Sequence, residues 1–217
     1  MWNEFARLWR EYRGFALFVV LMIVFRSAVA DWNTVPTGSM KPTIIEGDRI
    51  FVNKLAYDLR IPLTHISIHK FGDPGRGDIV VFDSKAAETR LVKRVIGLPG
   101  DVVEMRNNRL TINGIGARYS NVEYTADAIF AIESYGGMTH RIELAPAGVS
   151  RFSSFGPVKV PEDHYLVLGD NRDNSADSRV RGFIPRGEIV GDARTVVLSI
   201  DYDRYYLPRM DRFLRNL

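Results

Sequence analysis

The chain has 217 residues, no cysteine, and a formal net charge of +3 from 29 basic and 26 acidic residues. Disulfides and thiolate metal sites are thereby excluded, and so near-balanced a charge gives no global sign of nucleic-acid binding. The length allows one medium domain, or a small one with an insertion, around a sizeable core.

Residues 1–13 carry Arg7, Arg10 and Arg13 among aromatics, and an apolar run follows from Gly14 to Phe25 before Arg26 interrupts it. The run is short of the ~20 residues of a simple membrane span. Counting on to Ala30 gives nearly enough, with Arg26 snorkelling toward the far interface. A cleaved signal peptide ending at Ala28-Val29-Ala30, a buried core helix and a permanent anchor compete here. The flanking charges and the belt aromatics Trp9, Tyr12 and Trp32 favour an anchor over 14–30. Arginines ahead of it put segment 1–13 in the cytoplasm and 31–217 across the membrane.

The stretch from Val35 to Thr43 holds Ser39 between Gly38 and Met40, with Pro36 and Pro42 on either side. Proline fixes φ and glycine permits unusual backbone, so the peptide is stiff around one bend. A serine there needs a base before it is a nucleophile. From Gly47 to Lys54 a turn feeds a short strand. Residues 57–76 read as an excursion loop, in which His65 and His69 lack the glutamate of a zinc-protease helix. The stretch from Gly77 to Phe82 reads as a turn into a buried strand, and that from Thr89 to Gly97 as another. Val102–Met105 and Arg109–Ile112 form a predicted hairpin at Asn107-Asn108, with a second turn at Asn113-Gly114. Residues 115–160 read as a β-rich insertion with long loops. Strands return at 165–168 and 188–200, followed by a basic, aromatic tail. Many short strands with Gly/Pro turns predict a mainly β fold.

Lys93 lies among Leu91, Val92, Val95 and Ile96. Strand side chains alternate, so Lys93 and Arg94 point to opposite faces. A lysine facing the apolar side has its ammonium form disfavoured and can serve as a base. The loop from Gly169 to Arg179 is dense in charge. No EF-hand register suits it, because a count from Asp177 puts Arg179 and Arg181 at ligand positions. It reads as a self-bonded network with an Asp177–Arg179 ion pair.

Taken together, the stretches Thr37–Thr43, Gly77–Phe82, Lys93–Asp101 and Gly169–Arg179 resemble, in order and spacing, the type I (leader) signal peptidases. The resemblance covers about 14–105 and 160–200, leaving 106–160 as the variable part. It implies a membrane-anchored, β-rich serine endopeptidase with a single N-terminal transmembrane helix. The catalytic domain would be 31–217, its core about 31–105 and 160–217, on the outer face of the inner membrane. Its partners would be preprotein signal peptides and the phospholipid membrane, with no nucleic acid and no cofactor or metal. By motif position Ser39 is the nucleophile and Lys93 the general base, with Ser175 orienting the amine and Asp177 and Arg179 bracing the loop. The Ser39 N–H and the Thr37 hydroxyl would hold the oxyanion. Val35, Pro36, Met40, Ile44 and Val92 would line pockets for small residues. Thr37 stands where many members have serine, and Leu91 where some have tyrosine. The alternatives are a related Ser/Lys peptidase for pilus, conjugation or organelle preproteins, and a non-catalytic membrane-tethered β domain that binds peptides.

Overall fold

The computed structural model describes residues 2–64, 66–146 and 150–217, with residues 3–8 described by their backbone alone. Helix α1 spans Trp2–Ala28. Its Leu, Met, Ala, Glu and Arg are good helix formers and no proline interrupts them. One continuous helix thus runs from the arginine-bearing segment through the apolar run and stops at Ala28. The end is fixed by the buried Lys54, whose Nζ donates to the carbonyls of Arg26 at 2.7 Å and Ser27 at 3.0 Å. A cation on the last carbonyls of a helix also meets the negative end of its dipole. Among the described residues no helix is long and apolar enough to cross a membrane.

Strands β1 (Ala30–Thr34) and β2 (Asp48–Asn53) pair antiparallel, Ala30 opposite Asn53. The predicted excursion loop contains two short strands, β3 (Asp58–Arg60) and β4 (Ser67–Lys70), paired as a ribbon. Asp58 is held from across the fold by Arg186 at 2.8 Å, a contact that local pattern does not reveal. His65 lies outside the described residues. His69 is exposed on β4 and packs edge-on to Phe71 at 4.9 Å. Next come β5 (Ile79–Ser84) and β6 (Thr89–Gly97), the latter with its predicted limits. β5 is a near-continuous run of Ile, Val and Phe, as suits a strand covered on both faces.

Strands β7 (Val102–Arg106) and β8 (Arg109–Ile112) form the predicted hairpin. Asn107 and Asn108 both take positive φ, 49° and 60°, which matches the twist of the flanking strands. Strands β9 (Ile115–Gly116), β10 (Arg118–Tyr124), β11 (Ile129–Tyr135), β12 (Met138–Leu144) and β13 (Phe155–Lys159) confirm the β-rich reading of 115–160. After β14 (His164–Leu168) comes α2 (Ser178–Arg181), a single helical turn inside the predicted polar loop. Strands β15 (Ile184–Pro185) and β16 (Ile189–Asp201) follow. The tail adds β17 (Leu207–Pro208) and β18 (Arg215–Asn216), both pairing with β16.

The main sheet has the order β1-β2-β16-β5-β6-β14-β15. β10-β11-β12 and β13-β7-β8-β9 are separate sheets. One core cluster, with Met40, Ile44, Ile50, Val52, Ile79, Val81 and Val196, lies beneath the Ser39 turn. Arg212 of the tail is buried against Asp48 at 2.9 Å, so the basic tail is part of the fold.

Candidate active site

Ser39 sits on the turn that leaves β1, and Lys93 on β6. The two meet because β6 is carried into the sheet beside β5, with Lys93 opposite Val80. Met40 and Ile44 fasten the turn from below, both fully buried. Lys41 N–H closes it by donating to Gly38 O at 3.1 Å. Lys93 Nζ lies 2.6 Å from Ser39 Oγ and donates to Val92 O at 2.9 Å. The lysine is only 3% exposed.

Burial pushes the Lys93 amine down from 10.5 to about 8. Asp177 and Asp170 pull the other way, and Arg181 and Arg179 add to the lowering. A base near 8 is substantially neutral at the pH of mild alkaline solutions, where an ordinary lysine is not.

Arg94 does not face water on the other side of β6. It forms a two-pronged pair with buried Asp170, 2.8 and 2.7 Å, and donates to Gly77 O at 2.8 Å. Alternation holds, but both faces are covered. Thr43 Oγ1 donates to the same Asp170 at 2.5 Å. This link between Ser39's turn and β6 is missed by sequence reasoning. Its one clue was an arginine next to a buried lysine.

The loop after β14 folds as the predicted network. Asp177 accepts from Gly169 N–H at 2.9 Å and pairs with Arg179 through 2.8 and 2.7 Å contacts. Burial raises the Asp177 carboxyl, but its bonds to Arg179 and that residue's charge outweigh burial and hold it below the ordinary range. Asn171 N–H donates to Ser39 O at 3.1 Å, so the loop touches Ser39's own backbone. A methyl group at Gly169 would collide with that carbonyl and with the Ser175 hydroxyl, which requires glycine there.

Ser175 is buried beside the Ser39 carbonyl, and its hydroxyl helps to hold the Asp177 carboxyl low. In this structure the Lys93 amine is held by Ser39 Oγ and Val92 O, and Ser175 makes no hydrogen bond to it. Thr37 is exposed at the groove. Neither its hydroxyl nor the Ser39 N–H has a hydrogen-bond partner among the described residues, so both are free to donate to an incoming oxygen.

A groove of about 410 Å³ opens at Ser39 and Lys93. Val35, Pro36, Met40 and Val92 line it, as expected, together with Trp32, Thr34, Leu91 and Arg90. Ile44 does not: it is wholly buried in the core under the turn, where the apolar run continues inward, and its pocket role is corrected. β1 is an edge of the sheet, and β6 is paired beyond residue 93 but open on that side at 89–93. The groove thus runs between two unpaired strand edges.

With the geometry in place, likeness to known proteins is decisive. The family of signal peptidases, peptidase S26, matches residues 9–198. The chain is similar to signal peptidase I of Pseudomonas fluorescens, 38% identical over 87% of this chain and 72% of that protein. It is similar to signal peptidase I P of Bacillus subtilis subsp. natto, 35% identical over 88% and 90%. It is also similar to signal peptidase I of Pseudomonas aeruginosa, 37% identical over 87% and 72%. A serine and a depressed lysine in a peptide-sized groove, on a chain matched over most of its length, belong together: the chain is a member of the signal peptidase family, peptidase S26.

Proposed function

We propose that this peptidase removes signal peptides from preproteins with Ser39 as nucleophile and Lys93 as general base. The observation that carries the assignment is the buried amine, lowered to about 8, lying 2.6 Å from the serine hydroxyl. The neutral Nζ takes the Ser39 proton as Oγ attacks the scissile carbonyl carbon. The Ser39 N–H and Thr37 hydroxyl donate to the oxyanion that forms. The Lys93 ammonium then protonates the leaving amine as the peptide bond breaks, leaving an acyl-enzyme. Water resolves the ester, again giving its proton to Lys93.

The substrate lies extended between the open edges of β1 and β6, its backbone completing both ladders. Val35, Pro36, Met40 and Val92 shape pockets that suit small side chains, since overfilling a packed apolar pocket costs roughly 1–3 kcal/mol. Asp177 and Arg179 brace the loop. Ser175 supports the amine from its place beside the Ser39 carbonyl, its hydroxyl turning to the lysine when substrate binds. Helix α1 anchors the chain in the membrane, its arginine-rich end cytoplasmic and residues 31–217 outside.

The test is cleavage of a preprotein by the detergent-solubilised full chain, with the cut located by mass spectrometry. Ser39→Ala abolishes processing while retaining peptide binding. Cleavage at the wild-type rate by Ser39→Ala removes the nucleophile assignment. Binding without cleavage by the wild type leaves only a tethered peptide-binding domain.

A further inference from the structure

The inserted sheet β10–β12 contributes no strand to the sheet that carries Lys93, yet it reaches the nucleophile. Asn171 touches the Ser39 turn twice. Its N–H donates to Ser39 O at 3.1 Å and its side-chain amide to Gly38 O at 3.2 Å. What holds Asn171 in place is the end of β12. Glu143 N–H donates to Asp170 O at 2.9 Å, and Glu143 O accepts from Arg172 N–H at 2.9 Å. Asn171 Nδ2 also donates to Glu143 Oε1 at 3.2 Å. The loop at 170–172 is in effect an extra strand laid parallel to Glu143.

Beneath this bridge lies a buried ionic knot. Arg172 and Glu133 of β11 are both wholly buried and joined by 2.8 and 2.5 Å contacts. Tyr119 of β10 donates to Glu133 at 2.6 Å. His140 of β12 stands 3.5 Å from Glu133 and 3.7 Å from Asp170. Burying so many charges is costly, and swapping a buried pair for apolar groups is often neutral or stabilising. Stability alone is therefore a poor reason for a charged knot directly behind the loop that meets Ser39. A fork-on-carboxylate pair does fix orientation.

We propose that Glu133, Arg172 and Glu143 are positioning residues: the inserted sheet clamps Asn171 against the Ser39 carbonyl and so sets the approach of Ser39 Oγ to Lys93. The inference rests on the Ser39/Lys93 reading. Substrate does not touch these residues, so loosening them slows the proton transfer and attack without weakening peptide binding. A shift of about 1 Å at a reacting pair costs up to roughly a hundredfold in rate.

The experiment measures kcat and KM of the full chain in detergent on a preprotein, with melting curves, for wild type, Ser39→Ala, Glu133→Gln and Asn171→Ala. Expected is a fall in kcat of about tenfold or more in both Glu133→Gln and Asn171→Ala. KM stays within about twofold, and both proteins are folded at the assay temperature. Folded variants with wild-type kcat overturn the inference, as does a loss confined to KM. If Glu133→Gln does not fold, Asn171→Ala decides by the same criteria, since it removes only two side-chain bonds. An active Ser39→Ala sinks the dyad itself, an outcome separate from unchanged kcat in the clamp variants.

Discussion

Lys93 is where one residue's environment decides the chemistry. Desolvation lowers its amine to about 8, so kcat/KM rises with pH through that value as the base becomes neutral. Lys93→Arg is inactive at every pH, because a guanidinium does not release its proton in a protein. The same shift has a consequence for stability. Between about 8 and 10.5 the unfolded chain holds the lysine proton and the folded one does not, so the wild type gains stability with rising pH there. Lys93→Met therefore melts higher than the wild type at pH 7, and the gap closes above about pH 10.5. The measurement is a pair of pH series, one of kcat/KM and one of melting temperature. An acid limb near the ordinary lysine value of ~10.4, or a Lys93→Arg enzyme at wild-type rate, contradicts the assignment.

Among the elements, α1 raises the sharpest question. Phe15, Leu17, Phe18, Val20, Leu21, Ile23 and Phe25 are exposed around the helix, with no protein packed over them. A helix apolar on all sides is at home in lipid. Its apolar run is closed off by Arg13 and Arg26. Arg26 does not lie loose: it pairs with Asp31 at 2.7 Å and stacks over Trp32 at 4.4 Å, which ties the helix end to β1. Lys54 on the last carbonyls and the Leu63 N–H donated to Ser27 Oγ at 2.5 Å add two more ties. The helix therefore leaves the domain at a set angle, next to the groove that Trp32 helps to line. Protease added outside intact spheroplasts digests residues 31–217. Digestion only after lysis reverses the proposed topology.

Across the whole molecule, the two buried pairs Arg94–Asp170 and Arg172–Glu133 join the main sheet, the loop after β14 and the inserted sheet. His140 sits between them, and burial pushes its imidazole down to about 4, so it is neutral at pH 7. The unfolded chain takes up that proton near 6.5. Between 6.5 and about 4 the unfolded state thus holds more protons, and stability falls as the pH drops. The whole window is worth about 3 kcal/mol. Glu143 and Asp192, whose carboxyls burial raises, act with the opposite sign lower in the range. Denaturant titrations from pH 7 to 4 show the loss in the wild type and a flatter profile in His140→Gln. Equal slopes in the two proteins remove His140 as its source.

Much of the fold was legible because it is local. The limits of β6, the hairpin at Asn107-Asn108, the buried run of β5 and the Asp177–Arg179 pair follow from alternation, turn chemistry and charges two residues apart. Ser39 and Lys93 were legible as candidates too, as a small hydroxyl residue in a stiff turn and a lysine in an apolar strand. The rest was set by distant parts of the chain. Alternation places Lys93 and Arg94 on opposite faces, but only packing buries both. Ile44 and Met40 look alike in sequence and both are buried in the core under the turn, and only the turn's seat on that core lets Met40 also reach the groove wall. Ser175 has the right spacing to serve the amine, and its hydroxyl nonetheless makes no bond to it in this structure. The Glu133–Arg172 pair is separated by 39 residues, and nothing in either neighbourhood announces the other. Sequence by itself determined most of the strands and turns and offered Ser39 and Lys93 as candidates, because backbone propensity and apolar period act over a few residues. Tertiary structure alone decided which charges are buried and what they hold, because that depends on which strands the sheets bring side by side.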